Sequence, residues 1–133
     1  MLDQGTVTAN IPAADLARAR DFYAEKLGLS PFQEMGGVVL MYRTAGGSPF
    51  SVYQTEYAGK AGHTVAQWHV ADVDAVVRDL KSRGVAFEHY DMPGVDWNDD
   101  VASLGSMGKA AWFKDSESNI LCIDDVSPGG SAG

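Results

Sequence analysis

The chain is poor in several things that would announce a function. It has one cysteine, Cys122, in 133 residues. No internal disulfide can form, which suits a reducing cytoplasm. No apolar run approaches the roughly 20 residues that cross a bilayer. The first residues carry no basic stretch followed by an apolar one, so no signal peptide is expected and the chain is read as cytoplasmic. Basic residues are scarce, 10 Lys and Arg against 18 Asp and Glu, and the net charge of −8 argues against a nucleic-acid or membrane partner. Walker A, G-x-G-x-x-G, G-x-S-x-G, H-E-x-x-H and C-x-x-C motifs are all missing, which removes nucleotide, hydrolase and zinc-protease readings as far as a motif can.

What is present suits one folded domain. Hydrophobic residues make up 45% of the chain, too many for a disordered polymer. The last seven residues, 127–133, are small and read as a flexible tail. Residues 6–12 alternate, with Val7, Ala9 and Ile11 on one face and Thr8 and Asn10 on the other, the pattern of a half-buried strand. Asp15 then offers an N-cap, Leu16, Ala19 and Tyr23 recur at helical spacing, and Gly28 supplies a stop. Strands are expected near 31–35, 38–43 and 49–55, separated by glycine turns.

The pattern then restarts. Residues 65–70 alternate, with Val65, Gln67 and His69 opposite Ala66, Trp68 and Val70. Asp72 is a second N-cap, Val73, Val76, Val77 and Leu80 form an apolar stripe, and Gly84 closes the helix. Strands are expected at 85–91, 109–114 and 120–125. The order is βαβββ twice, about 6–56 and about 64–126, an α+β chain best explained by duplication. Each helix covers one sheet face. The opposite faces are left to curl into a concave, polar cup where a ligand sits.

Several residues on those faces carry candidate chemistry. Thr8, Asn10, Tyr53 and Gln67 are neutral hydrogen-bonding groups, costly on a concave face unless water or ligand satisfies them. His69 shares a face with Gln67. It reads as a general base or as a histidine that merely bonds a neighbour. Asp124 lies on the face of Cys122 and reads as a ligand-binding carboxylate or a solvated strand-end acid. Cys122 reads as a small buried side chain ahead of a nucleophile. Glu88 and His89 are sequence neighbours on a strand, so they point to opposite faces and make no two-ligand site. Residues 92–108 are too long for a hairpin turn. They suggest a lid, with Trp97, Met92 and Met107 over an apolar part of a ligand, or a short helix against a partner subunit.

The run D-L-x-R-A-x-x-F-Y-x-x-x-L-G-L from Asp15 to Leu29, together with AWFKDSESNILCI from Ala111 to Ile123, resembles the vicinal oxygen chelate superfamily of glyoxalase I, bleomycin-resistance proteins and extradiol dioxygenases. The resemblance covers roughly 6–126. It implies two βαβββ modules forming a curved mixed sheet cup, and a homodimer. It also implies four metal-ligand positions, one on the first and last strand of each half, which fall at Thr8, Ser51, Val65 and Cys122. None is His or Glu, so the usual divalent metal centre is expected to be absent and no cofactor is assigned. The leading reading is a metal-independent member that holds a small organic ligand, as drug-sequestering proteins do, through Thr8, Asn10, Ser51, Gln67, Trp97 and Cys122. The rival is a glyoxalase-like lyase or isomerase, or a dioxygenase-type enzyme. It would use His69, Tyr53 and Asp124 as acid and base, or a displaced metal site built from His63 or His69 with Glu56.

Overall fold

A computed structural model describes residues 1–126; the expected tail, 127–133, lies outside the described residues. The described chain divides into two compact units, the first built from Met1–Gly62 with Asp115–Asn119, the second from His63–Lys114 with residues 120–126.

In the first unit, β1 (Ala9–Ala13) leads to α1 (Leu16–Glu25), then β2 (Gln33–Met35), β3 (Val39–Arg43) and β4 (Pro49–Gln54). The sheet order is β1-β4-β3-β2, with β1 parallel to β4 and the other pairs antiparallel. The Asp15 carboxylate accepts from the Arg18 amide at 3.0 Å, so the expected cap forms. Leu16, Ala19 and Tyr23 turn inward against Ile11, Ala13, Leu40, Tyr42, Phe50 and Val52, all buried. Tyr42 stacks on Phe50 with ring centroids 4.8 Å apart. Strand β1 starts later than the sequence pattern suggests: Val7, expected inside, is 85% exposed, and the inward set begins effectively at Ile11.

The second unit repeats the order: β5 (Thr64–His69), α2 (Val73–Ser82), β6 (Phe87–Glu88), β9 (Lys109–Lys114) and β10 (Ile120–Asp124), with a hairpin, β7 (Asp96–Asn98) and β8 (Val101–Ser103), inserted before β9. Its first and last strands, β5 and β10, again pair in parallel, as β1 and β4 do. Asp72 caps α2 by accepting from the Ala75 amide at 3.1 Å. Val73 and Val77 pack on Val101 and Ala111.

The stretch 92–108 is neither a bare loop nor an α-helix. It supplies the β7–β8 hairpin and a 3-10 turn at Gly105–Met107, and β8 adds to the sheet by pairing with β9. The strand expected at 85–91 shrinks to Phe87–Glu88, because β8 takes the other end of the same edge of β9. No helix among the described residues is long and apolar enough to cross a membrane.

The turn joining β9 to β10 belongs to the first unit and is held there by buried polar groups. Tyr23 Oη donates to Asp115 Oδ2 at 2.7 Å, and Asn119 Nδ2 donates to the Pro12 carbonyl at 2.8 Å. Glu117, with a fully buried side chain, accepts from the Ala14 and Asp15 amides at 2.9 Å and from Arg18 Nε and Nη2 at 2.8 and 2.9 Å. Gly59 takes φ +75°, and a Cβ there would stand 2.8 Å from the Glu117 carbonyl oxygen, so only glycine lets the two backbones meet.

Candidate functional site

Register fixes which side chains share a face, since residues directly opposite in neighbouring strands point the same way. In the second unit, Ala111 and Phe113 of β9 stand opposite Ile123 and Leu121 of β10, and Ala111 packs on α2. The other face carries Ala110, Trp112, Cys122 and Asp124, and, by pairing of β5 with β10, Gln67 and His69. Glu88 joins it opposite Trp112, and Trp97 joins it opposite Ala102, which is opposite Ala110. The face turned away from α2 is thus polar and aromatic.

At its floor lies Asp124, only 1% exposed. A buried carboxylate is costly unless donors surround it. Asp124 has three: the Gln67 side-chain amide on Oδ2, His69 Nδ1 at 2.7 Å from Oδ1, and the Val126 amide at 3.0 Å from Oδ1. The His69 side chain itself is 48% exposed. A carboxylate accepts, so Nδ1 is the donor, and in the neutral ring the lone pair then lies on Nε2. Nε2 has no hydrogen-bond partner among the described residues.

Farther across the sheet, toward β7, the rings form a cluster of their own. The His89 ring lies flat on Trp97, centroids 4.2 Å apart and 9° from parallel. Trp97 meets Trp112 at 6.2 Å, and Tyr90 meets Trp112 edge-on at 6.0 Å. His89 Nε2 is tied to Asp100 Oδ1 at 2.8 Å, and Lys81 of α2 reaches both Asp99, at 2.8 Å, and Asp100. The Lys81 hydrogen bond chiefly, with that of His89, holds the Asp100 carboxyl below its ordinary range against the upward push of burial. The hairpin turn needs Asp99 at φ 57°, a conformation aspartate tolerates.

Of the residues singled out from sequence, Gln67, His69, Asp124 and Cys122 lie on the two paired strands of this face, and Trp97 shares the face three strands away. Glu88 comes within 4.0 Å of Lys114, while His89 pairs with Asp100. Cys122 is 2% exposed; burial first, then the Asp124 charge, pushes its thiol up to about 12, so it stays protonated at neutral pH and is no nucleophile. Asn10, Ser51 and Tyr53 belong to the first unit, where Ser51 pairs with Asn10 and with Met41 on the sheet face opposite α1. Ser51 is buried at 4%, Tyr53 is 38% exposed, and Thr8 is exposed just ahead of β1. His63 precedes β5 and is exposed.

Sequence reasoning missed Trp112, Tyr90 and the His89–Trp97 stack. Trp112 was legible, since it lies in the β9 alternation directly opposite Cys122. The stack was not, because it depends on the inserted hairpin.

Four positions bear on a metal. Thr8 and Ser51 offer neutral hydroxyls, Val65 offers no donor, and Cys122 offers a protonated thiol. No group of three or more His, Cys, Asp or Glu among the described residues is arranged to hold a metal ion.

A repeated βαβββ unit, with first and last strands parallel and one sheet face left free of its helix, defines the α+β fold class. The chain belongs to the Glyoxalase/Bleomycin resistance protein/Dioxygenase superfamily, whose pattern it matches over residues 5–115. No curated protein matches it. Among solved structures it is similar to a bleomycin-binding protein complexed with bleomycin (17% identity, 93% of this chain and 100% of that one, TM-score 0.68). It is also similar to TnmS3, an antibiotic binding protein from Streptomyces sp. CB03234 (22% identity, 93% and 99%, TM-score 0.61). A third likeness is to a lactoylglutathione lyase from Agrobacterium tumefaciens (12% identity, 91% and 92%, TM-score 0.68). At these identities the likeness concerns the fold.

Proposed function

We propose that this protein binds a small organic molecule without a metal, on the face of the second sheet that carries Gln67, His69, Trp97, Trp112 and Asp124, and that it sequesters that molecule. The observation that carries the reading is the make-up of this face: a buried carboxylate, Asp124, and half-buried rings at Trp97 and Trp112 on the same side of one sheet. Orienting polar groups against aromatic surface are what a small-molecule site needs. The names of two similar structures, a bleomycin-binding and an antibiotic binding protein, support a ligand of drug size. The formal charge of −8 favours a basic one.

The donors at Thr8, Ser51, Val65 and Cys122 do not fit a divalent metal. Two neutral hydroxyls, an isopropyl group and a thiol held protonated are poor ligands for hard oxygen-loving ions, and zinc needs three or four good ones. The same proposal places the protein in the cytoplasm as a homodimer.

A thermal-shift screen over antibiotics, metabolites and thiols tests this, with divalent metals as a separate arm. A ligand that binds only the folded state raises the melting temperature by mass action. The expected result is a hit among basic aromatic compounds that survives added chelator and is weakened in Trp97→Ala. Stoichiometric transition metal in protein purified without chelator overturns the metal-independent part. Light scattering that finds only monomer overturns the dimer.

A further inference from the structure

The geometry points to a second capability at this site, resting on the binding reading above: His69, held by Asp124, is a general base that takes a proton from a bound molecule. Three observations carry it. Asp124 is 1% exposed and occupies His69 Nδ1 at 2.7 Å, so the imidazole is oriented and its proton is kept on Nδ1. The ring is 48% exposed and its Nε2 has no partner among the described residues, so the basic nitrogen is presented rather than consumed. Asp124 is itself fixed from two further sides, by Gln67 and by the Val126 amide, so the carboxylate stays in place when positive charge develops on the ring.

The contrast with the other imidazole on this unit is instructive. His89 spends Nε2 on Asp100 and its ring face on Trp97. It is built to hold a tryptophan, whereas His69 is built to offer a nitrogen. A carboxylate that orients an imidazole whose far nitrogen is open suits general-base chemistry.

In such a step the substrate's acidic C–H bond breaks, its proton forms the Nε2–H bond, and the electron pair stays with the substrate. The imidazolium is balanced by the Asp124 carboxylate and returns the proton to product or water. No oxidant, reductant or metal is consumed. The substrate class is a small, flat molecule with an acidic C–H.

The probe is 5-nitrobenzisoxazole. Base removes its C3 proton, the C–H pair becomes the third bond of a nitrile, and the N–O pair leaves on a coloured phenolate. With the full-length protein, turnover per site is expected to exceed that of an equal concentration of free imidazole by about 100-fold. His69→Gln should fall to background while still melting as a folded protein, Asp124→Asn should lose tenfold or more, and His63→Gln should not change. Added imidazole should restore His69→Ala saturably, which a merely structural histidine would not allow. Turnover no faster than free imidazole, or unchanged in His69→Gln or Asp124→Asn, overturns the inference. Quenching of tryptophan emission by the same probe separates the two readings. Saturable quenching without His69-dependent turnover leaves binding standing and the base refuted. His69-dependent turnover without saturable quenching upholds the base and counts against tight binding. Neither result refutes both.

Discussion

Two buried carboxylates, Glu117 in the first unit and Asp124 in the second, solve the same problem to different ends. Glu117 is 5% exposed and surrounded on every side by the protein's own donors: two backbone amides, both faces of the Arg18 fork and the Ser116 hydroxyl. Nothing about it is left over. Asp124 is as deeply buried, but one of its donors is a ring half open to solvent with a nitrogen to spare. Arg18 is 54% exposed and His69 48%, so neither burial nor an outward-facing donor separates the two. A guanidinium has no lone pair and can only pin Glu117, whereas the imidazole on Asp124 keeps a second nitrogen able to accept.

The largest test of this comparison removes the pin. Burial pushes the Glu117 carboxyl up, but the Arg18 hydrogen bonds, the Asp15 amide, Ser116 and the Arg18 charge outweigh it and hold the group at about 2, against 4.5 ordinarily. Glu117→Gln is therefore expected to lose about 3 kcal/mol of stability in urea titration at pH 7; a loss near zero breaks the comparison. Because the folded value is the lower one, the unfolded chain binds the proton first as pH falls. The contribution is full above the ordinary carboxylate value and disappears as pH drops through about 2. Wild type should thus lose stability between these limits, and Glu117→Gln should lose correspondingly less.

A second variant works on the same pin more gently. Tyr23→Phe strips Asp115 of its phenol donor, leaving its bonds from the Asn119 side chain and from the Glu117 and Asn119 amides. It should cost about 1–2 kcal/mol in the same titration. No measurable loss would mean the turn is held without it.

The open side is tested by affinity. Trp97→Ala removes the ring on which His89 lies and should weaken a stacked ligand by about tenfold, roughly 1.4 kcal/mol, in calorimetry. Unchanged affinity would move the ligand off this face. Smallest in stability is His69→Gln, expected to cost no more than about 1 kcal/mol because Gln67 and the Val126 amide still donate to Asp124. A loss near that of Glu117→Gln would make the His69–Asp124 pair another pin and erase the contrast.

Much of this was legible along the chain. Asp15 and Asp72 cap their helices as the pattern implies, and the alternation of 65–70 puts Gln67 and His69 on the face of Asp124. Both signals are local, set by one residue's side chain or by the period of a strand. The segment 92–108 was misread because its strands are three residues each, too short for alternation to register, and exist only through pairing with β9. The run from Ala111 to Ile123 resembles the family without disclosing the role of Glu117, since Glu117 and Arg18 lie 99 residues apart and no local pattern links them.

By itself, then, the sequence determined the doubled βαβββ order, the helix caps and which side chains share a sheet face, because each follows from spacing over a few residues. Tertiary structure decided which of the polar groups are satisfied. It closed Glu117 with donors from α1, laid His89 on Trp97, and set His69 on Asp124 with one nitrogen free. Those outcomes depend on strand pairing between distant segments, where a shift of one residue turns a side chain to the other face.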